Sequence, residues 1–267
     1  MSFLRGRAQL RCEEYLNCTG RLDNWKSSDF KNFKLSKIHA TQLSQDLLED
    51  SIDLYFKGLL SLSEAINSIS RFYYSWATVK LYYSVFYFIK ATLASKGIAL
   101  IRQKSLFYLF AREGKKPIKK NNKKYTSDHS GTINYYQDIF KNDFLLTNRI
   151  GDETVYEWLM KRREQVQYRE RVFHEPNTPS FWNHIVKKIN EISLNNIIQE
   201  YIDDNYILSF QEEHACLAVP IKRALLSQKD LEDAGLKTSL NKDQKKRIIN
   251  LLIVNKKPLP IIQTLKI

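Results

Sequence analysis

SWATVKLYYSVFYFIKATLASKG, residues 75–97, is the stretch whose reading decides the fold. Trp76, Val79, Leu81, Tyr83, Val85, Phe86, Phe88 and Leu93 put apolar side chains on every side of a helix, and such a helix must be surrounded by other elements. No proline interrupts it, and Gly97 stands where helices commonly stop in the left-handed conformation. The run approaches the length of a membrane span. Lys80 and Lys90 fall inside it, however, with Ser84 near its middle, and charges at those depths are costly in hydrocarbon. It reads as the central helix of a soluble, all-α domain.

Upstream, Leu48, Ile52, Tyr55, Leu59, Leu62, Ile66 and Ile69 recur at three- and four-residue steps, which predicts an amphipathic helix over about 45–70. A short break near 72–75 joins it to the central helix. Residues 1–45 are mixed and polar, and Tyr15, Leu16, Trp25, Phe30 and Phe33 suggest an N-terminal arm packed on the main body. Downstream, 98–101 and 106–110 are short apolar runs around Arg102, Gln103 and Lys104, predicting a small hairpin or extended excursion near 98–112. Residues 112–124 form the most basic stretch, with Lys115, Lys116, Lys119, Lys120, Lys123 and Lys124 against the single acid Glu113. Gly114 and Pro117 mark it as an exposed loop.

Ser127, Asp128, His129 and Ser130 cap the next helix, which runs through Ile133, Tyr136, Ile139 and Phe140. Val155, Trp158, Leu159, Val166 and Val172 predict another over about 152–173, ending near Glu175 because Pro176 disfavours helical geometry in the residue before it. The pattern resumes over 181–201, and three short helices are predicted at 220–227, 231–234 and 242–254. The organisation expected is an arm over 1–45, a helical domain over 46–204 and a small C-terminal helical appendage over 205–267.

A chain of 267 residues, 43% hydrophobic and 12% aromatic, can bury a sizeable core, and its few glycines and prolines favour long helices. The net charge of +13 points to nucleic acid, an anionic membrane surface or an acidic protein, and the many Tyr and Phe beside Lys and Arg make nucleic acid the more economical of these; lysine-rich composition bias is the plain alternative. Cys12, Cys18 and Cys216 are odd in number and lack CxxC spacing, which argues against a disulfide framework or a zinc ribbon. The start lacks a signal peptide's apolar core, and a cytoplasmic address is expected. Metalloprotease, P-loop, dinucleotide-binding and serine-hydrolase motifs are absent, and the five histidines have no metal-ligand spacing, so no metal and no cofactor is expected.

KRREQVQYRERVFHEP, residues 161–176, is the dense site. Salt-bridged surface helices can look like this, but that leaves Tyr168 and His174 among the arginines unexplained. Taken in order, SWATVKLYYSVFYFIKATLASKGI, SDHSGTI and RREQVQYR resemble the HEPN superfamily, helical bundles of higher eukaryotes and prokaryotes, over about 73–176. The likeness is closest to a branch with an aromatic-rich "YYAxF…LL…G" helix, an "HSG" helix start and an "RxxADY"-like helix. It implies a HEPN-like helical bundle. In nuclease members an Arg, four to six residues and a His cleave RNA without metal, the site being completed across a homodimer.

Two registers compete for that motif. Arg163 to Tyr168 fits the family helix by position but has Tyr where the nuclease has His; Arg169 to His174 is a literal Arg-x4-His followed by a helix end. Residues five apart on an ideal helix are separated by about 140°, so either pair needs a twofold or an unwound helix end to meet at one phosphate. Near a helix terminus His174 would feel the negative end of the dipole, which favours an imidazolium able to protonate a leaving 5′-oxygen while an Arg stabilises phosphorane-like charge. Arg163 and His174, eleven apart, fall on nearly one helix face. The bland alternative is that His174 caps its helix while the arginines pair with Glu164 and Glu170.

The resemblance implies a metal-independent endoribonuclease acting as a toxin or phage-defence component, with Arg169 and His174 carrying the chemistry and Arg163, Glu170 and Tyr168 supporting. RNA (tRNA included), a second copy and a cognate antitoxin or defence-system protein are the implied partners. Lys115, Lys116, Lys119, Lys120, Lys123 and Lys124, with Arg162, Arg163, Arg169 and Arg171, are the expected RNA-binding groove. The alternative is a catalytically silent HEPN-like module that binds RNA or a partner protein. A third reading is a toxin silenced by a partner nucleotidyltransferase, with Tyr168 as the modified hydroxyl.

Overall fold

Two long helices carry the architecture of this computed structural model, which describes residues 5–17, 26–125, 127–236 and 240–267. They are α3, Lys37–Ile69, and α4, Tyr74–Ser95. α4 is the expected central helix, with Leu81, Tyr82, Val85, Phe88, Ile89 and Leu93 buried, and Gly97 follows it with φ +74°. α3 begins earlier than its stripe suggested, because Ala40, Leu43 and Leu47 extend the buried face towards the N-terminus. It ends with Phe72 N–H donating to Ile69 O at 3.0 Å and Tyr73 N–H donating to Ser68 O at 2.9 Å, the paired bonds of a Schellman end. The chain forms two compact units, one from Met1–Leu54, Ile89–Ile139 and Asp230–Lys237, the other from Tyr55–Phe88, Phe140–Lys229 and Thr238–Ile267.

In the first unit, α1 (Arg7–Tyr15) and α2 (Ser27–Asn32) precede α3. The Asp50 carboxylate caps α1, accepting from Arg7 N–H at 2.8 Å and Ala8 N–H at 2.9 Å. Phe30 meets Phe107 edge-on at 5.0 Å, inside a core that includes Cys12, Leu43, Leu47, Ile101 and Leu109. The expected excursion is an antiparallel hairpin, β1 (Ile98–Arg102) with β2 (Leu106–Phe110), Leu100 opposite Tyr108. The basic stretch after it is pinned at two places. Tyr108 pairs with Ile118, and Leu35 exchanges backbone bonds with Gly114 (2.8 Å) and Lys115 (3.0 Å). α5, Asp128–Ile139, starts with Ser127 Oγ accepting from Ser130 N–H at 3.0 Å. Gly131 lets Tyr108 OH donate to its carbonyl at 3.0 Å, where a Cβ would come 3.1 Å from Leu106. The SDHSG signature is thus a cap followed by a close approach.

The second unit holds α6 (Val155–Glu164), α7 (Asn183–Ile192), α8 (Leu194–Asp203), α9 (Glu212–Asp233) up to Lys229, and α10 (Lys242–Leu251). A short hairpin, β3 (Ile253–Val254) with β4 (Lys257–Pro258), and α11 (Ile261–Thr264) follow. Three expectations are corrected here. The single helix over 181–201 breaks at Ser193 (φ 80°), whose Oγ accepts from Asn196 N–H at 3.5 Å, while Lys188 on α7 reaches Glu200 on α8 at 2.7 Å. The short helices at 220–227 and 231–234 are one helix, α9, with Pro220 inside it. An interior proline costs about 3 kcal/mol, which burial of Leu217, Val219, Ile221 and Ala224 offsets. The α6 helix stops earlier than Glu175, as described below. Trp25 and Cys18 lie outside the described residues, while Cys12 and Cys216 are buried and unbridged.

Gly58 on α3 has no room for a side chain, since a Cβ there would lie 2.5 Å from Cε1 of Phe88, a buried ring 5.6 Å from that of Tyr55. Gly58→Ala is therefore expected to lower stability by about 1–3 kcal/mol through overpacking. An unchanged urea midpoint would show that the ring has room to move.

Candidate active site

α6 opens with a capping box in which Thr154 and Glu157 satisfy each other's backbone N–H groups, and Val155, Trp158 and Leu159 bury its inner face. At Gln165 the helix widens into a π-turn, Gln165–Arg169, closed by Glu170 N–H donating to Gln165 O at 3.0 Å. Glu170 then leaves helical geometry with ψ 139°. The chain beyond it is held by α4 instead: His174 N–H donates to Ser75 Oγ at 3.2 Å, and Ser75 N–H donates to the Glu175 carboxylate at 2.6 Å. Glu175 thereby caps α4. Those bonds replace the helical ones expected up to residue 175, and a π-turn of this kind often marks a functional position.

The two competing registers have different fates. Arg163 is buried, with its guanidinium 4.8 Å from the Tyr82 ring centre and 5.3 Å from that of Tyr168, and it reaches Gln167 at 3.4 Å and Glu164 at 3.6 Å. Burial pushes the Tyr82 phenol up, with the Arg163 charge pulling the other way. Tyr168 is 67% exposed above this stack. Arg163 therefore holds Tyr168 in place, and it does not share a helix face with His174, because helical geometry ends at Arg169. In the second register Glu170 is the centre. One oxygen accepts from Gln165 Nε2 at 2.9 Å, and the other lies 2.7 Å from His174 Nε2. Arg169 is exposed and turns to Glu164 at 3.6 Å, and Arg171 is exposed.

Arg162 points elsewhere, stacking at 5.1 Å on Trp158 and 5.7 Å on Phe181, and it lines a cleft of about 300 Å³ with His184, Glu212 and Glu213. The lysine-rich stretch belongs to the first unit, whereas the arginines belong to the second. Lys115, Lys116, Lys120 and Lys123 are exposed and Lys119 is half-buried. Lys124 lies 3.4 Å from Asp138, and its hydrogen bond with Tyr125 raises the ammonium above its usual range.

A carboxylate bound to one imidazole nitrogen fixes the ring and leaves the other nitrogen for proton transfer, and two exposed guanidinium groups on the same segment offer charge to a phosphate. Sequence reading missed Ser75 and Glu175, which hold this segment; the one available signal was a serine beside a helix start. It also missed Glu170 with His174 as a pair, although their four-residue spacing was visible. Among the described residues no helix is long and apolar enough to cross a membrane, and no group of three or more His, Cys, Asp or Glu is placed to hold a metal ion. No curated protein and no solved structure matches the chain. The HEPN domain matches it over residues 52–197, more than half of its length, and the chain belongs to that family.

Proposed function

We propose that this HEPN protein is a metal-independent endoribonuclease acting as a toxin or phage-defence effector. The observation that carries the reading is the Glu170–His174 pair at 2.7 Å, on a segment unwound from the end of α6 and bearing exposed Arg169 and Arg171. In this reading His174 transfers the proton at the scissile phosphate, Glu170 orients its ring, and Arg169 moves from Glu164 to the phosphate as charge develops. Arg171 supplies a further phosphate contact and a second copy completes the site, while the lysines at 115, 116, 119, 120, 123 and 124 bind RNA phosphates on their own unit. The test is cleavage of tRNA and of a long unpaired RNA in EDTA by the wild type and by His174→Ala.

A second reading is a catalytically silent HEPN-like module that binds RNA or a partner protein in a defence complex. It draws on Tyr168, which stands where the family's nucleases have histidine, and on the burial of Arg163 beneath it. RNA binding or a co-purifying partner, without cleavage by the wild type, is the result this reading expects.

A further inference from the structure

The joint between α3 and α4 exposes rings that a folding core would hide. Phe72 is 64% exposed and Trp76 is 46% exposed, and Tyr73 between them is exposed as well. Phe173, on the segment that carries His174, lies edge-on to Trp76 with ring centres 5.1 Å apart and is itself exposed. The bonds from His174 and Glu175 to Ser75 hold the two segments together at this place.

Phe72 adds a cost of its own. It occupies the left-handed position of the α3 Schellman end, φ 66°, where glycine is usual. A bulky L-residue is strained there, and an exposed ring recovers nothing by burial. Stability alone favours glycine or asparagine at 72 and polar side chains at 73 and 76. Exposed arginines, Arg71 and Arg171, flank both segments.

We propose that Phe72, Tyr73, Trp76 and Phe173 form a stacking platform for unpaired RNA bases beside the Glu170–His174 pair, with Arg71 and Arg171 on the adjoining phosphates. This rests on the reading of the chain as an RNA-binding HEPN protein and adds what selects the RNA. Every base has a π-face, so such a platform accepts any sequence, but a duplex hides those faces within its own stack. The interleaved charges favour RNA over a second copy as the occupant. A polyanion neutralises the Arg71 and Arg171 charges, which a protein surface of the same composition seated on the rings would leave without counter-charge.

The test uses the full chain carrying His174→Ala as parent, so that RNA survives the measurement. Fluorescence anisotropy is read with a labelled, unstructured oligonucleotide and with an RNA duplex of equal length. Phe72→Gly and Trp76→Ala are each expected to weaken binding of the unpaired RNA about tenfold. Duplex binding and the salt dependence stay as in the parent, and Phe72→Gly raises the thermal midpoint by relieving the backbone. Unchanged affinity of both variants for unpaired RNA overturns the proposal. So does sedimentation showing that they turn a dimer into a monomer as binding falls, which makes the patch a protein interface. A parent that binds neither RNA overturns both this proposal and the RNA reading. Equal cleavage by the wild type and His174→Ala removes His174 from the chemistry while the platform's binding result stands.

Discussion

Replacing His174 with alanine is expected to lower RNA cleavage in EDTA by about 10²–10⁴-fold, the usual contribution of a positioned acid or base. The size follows from the geometry. His174 Nε2 sits 2.7 Å from Glu170, and Ser75 holds both the His174 N–H and the Glu175 carboxylate, so the ring is already oriented and, in the proposed reaction, the substitution removes a positioned acid or base rather than a mobile side chain. Glu170→Gln keeps a hydrogen-bonding group at the same place but removes its charge. It is expected to reduce kcat by a smaller factor and leave KM unchanged, with a urea midpoint equal to that of the wild type, which separates a lost orienting charge from a loss of folded enzyme. Arg163→Ala is expected to act differently, loosening Tyr168 and lowering stability, since Arg163 is buried beneath that ring. Equal cleavage by the wild type and His174→Ala would remove this register and turn attention to Arg163 and Tyr168.

The parts of the fold that could be read from sequence are those where periodicity reports burial. α4 is legible because it is apolar all round and ends at a glycine that takes positive φ. The hairpin at 98–110 is legible because two short β-friendly runs flank a polar turn. α9 is not, because Pro220 reads as a helix start, and only a buried environment on both sides of it sustains the helix through the proline. Nor is the break at Ser193, where a serine cap and an ion pair between the flanking helices override an unbroken apolar rhythm.

The site was legible as a list of residues but not as an arrangement. Helical phase, extended through residue 173, places Arg163 and His174 on one face and separates Arg169 from His174. The end of α6 is decided instead by bonds to Ser75, about a hundred residues earlier in the chain, and no local pattern encodes them. Once the segment leaves the helix, the partner of His174 is Glu170, and the arginine best aligned with the family motif becomes a buried support for Tyr168.

The largest effect on stability is expected at Asp143, which no catalytic reading includes. Its carboxylate lies 2.7 Å from Arg223 Nη1 on α9, and the two side chains are 3% and 1% exposed. Tyr156 OH on α6 donates to the same oxygen at 3.2 Å, and Leu145 N–H donates to the other at 2.7 Å. Arg223 Nε in turn donates to Ser227 Oγ at 3.1 Å, and Ser227 Oγ donates to the Phe88 carbonyl on α4 at 3.2 Å. One carboxylate therefore ties α6, α9 and α4 together. Asp143→Ala removes the carboxylate paired with a buried guanidinium and is expected to cost about 3–5 kcal/mol. The double replacement Asp143→Leu with Arg223→Met removes both charges and is expected to cost less than Asp143→Ala alone, because desolvation of the pair already absorbs most of its attraction. Urea unfolding of the three proteins decides the matter. A loss below about 1 kcal/mol for Asp143→Ala would mean that water reaches Arg223 and that the pair behaves as a surface one. Because Tyr156 anchors α6 to this network, Asp143→Ala is also expected to blur the position of Glu170 and His174 at the far end of that helix. Cleavage should then fall at temperatures where the variant is still folded, while the double variant, repacked but uncharged, separates loss of the Tyr156 anchor from loss of stability.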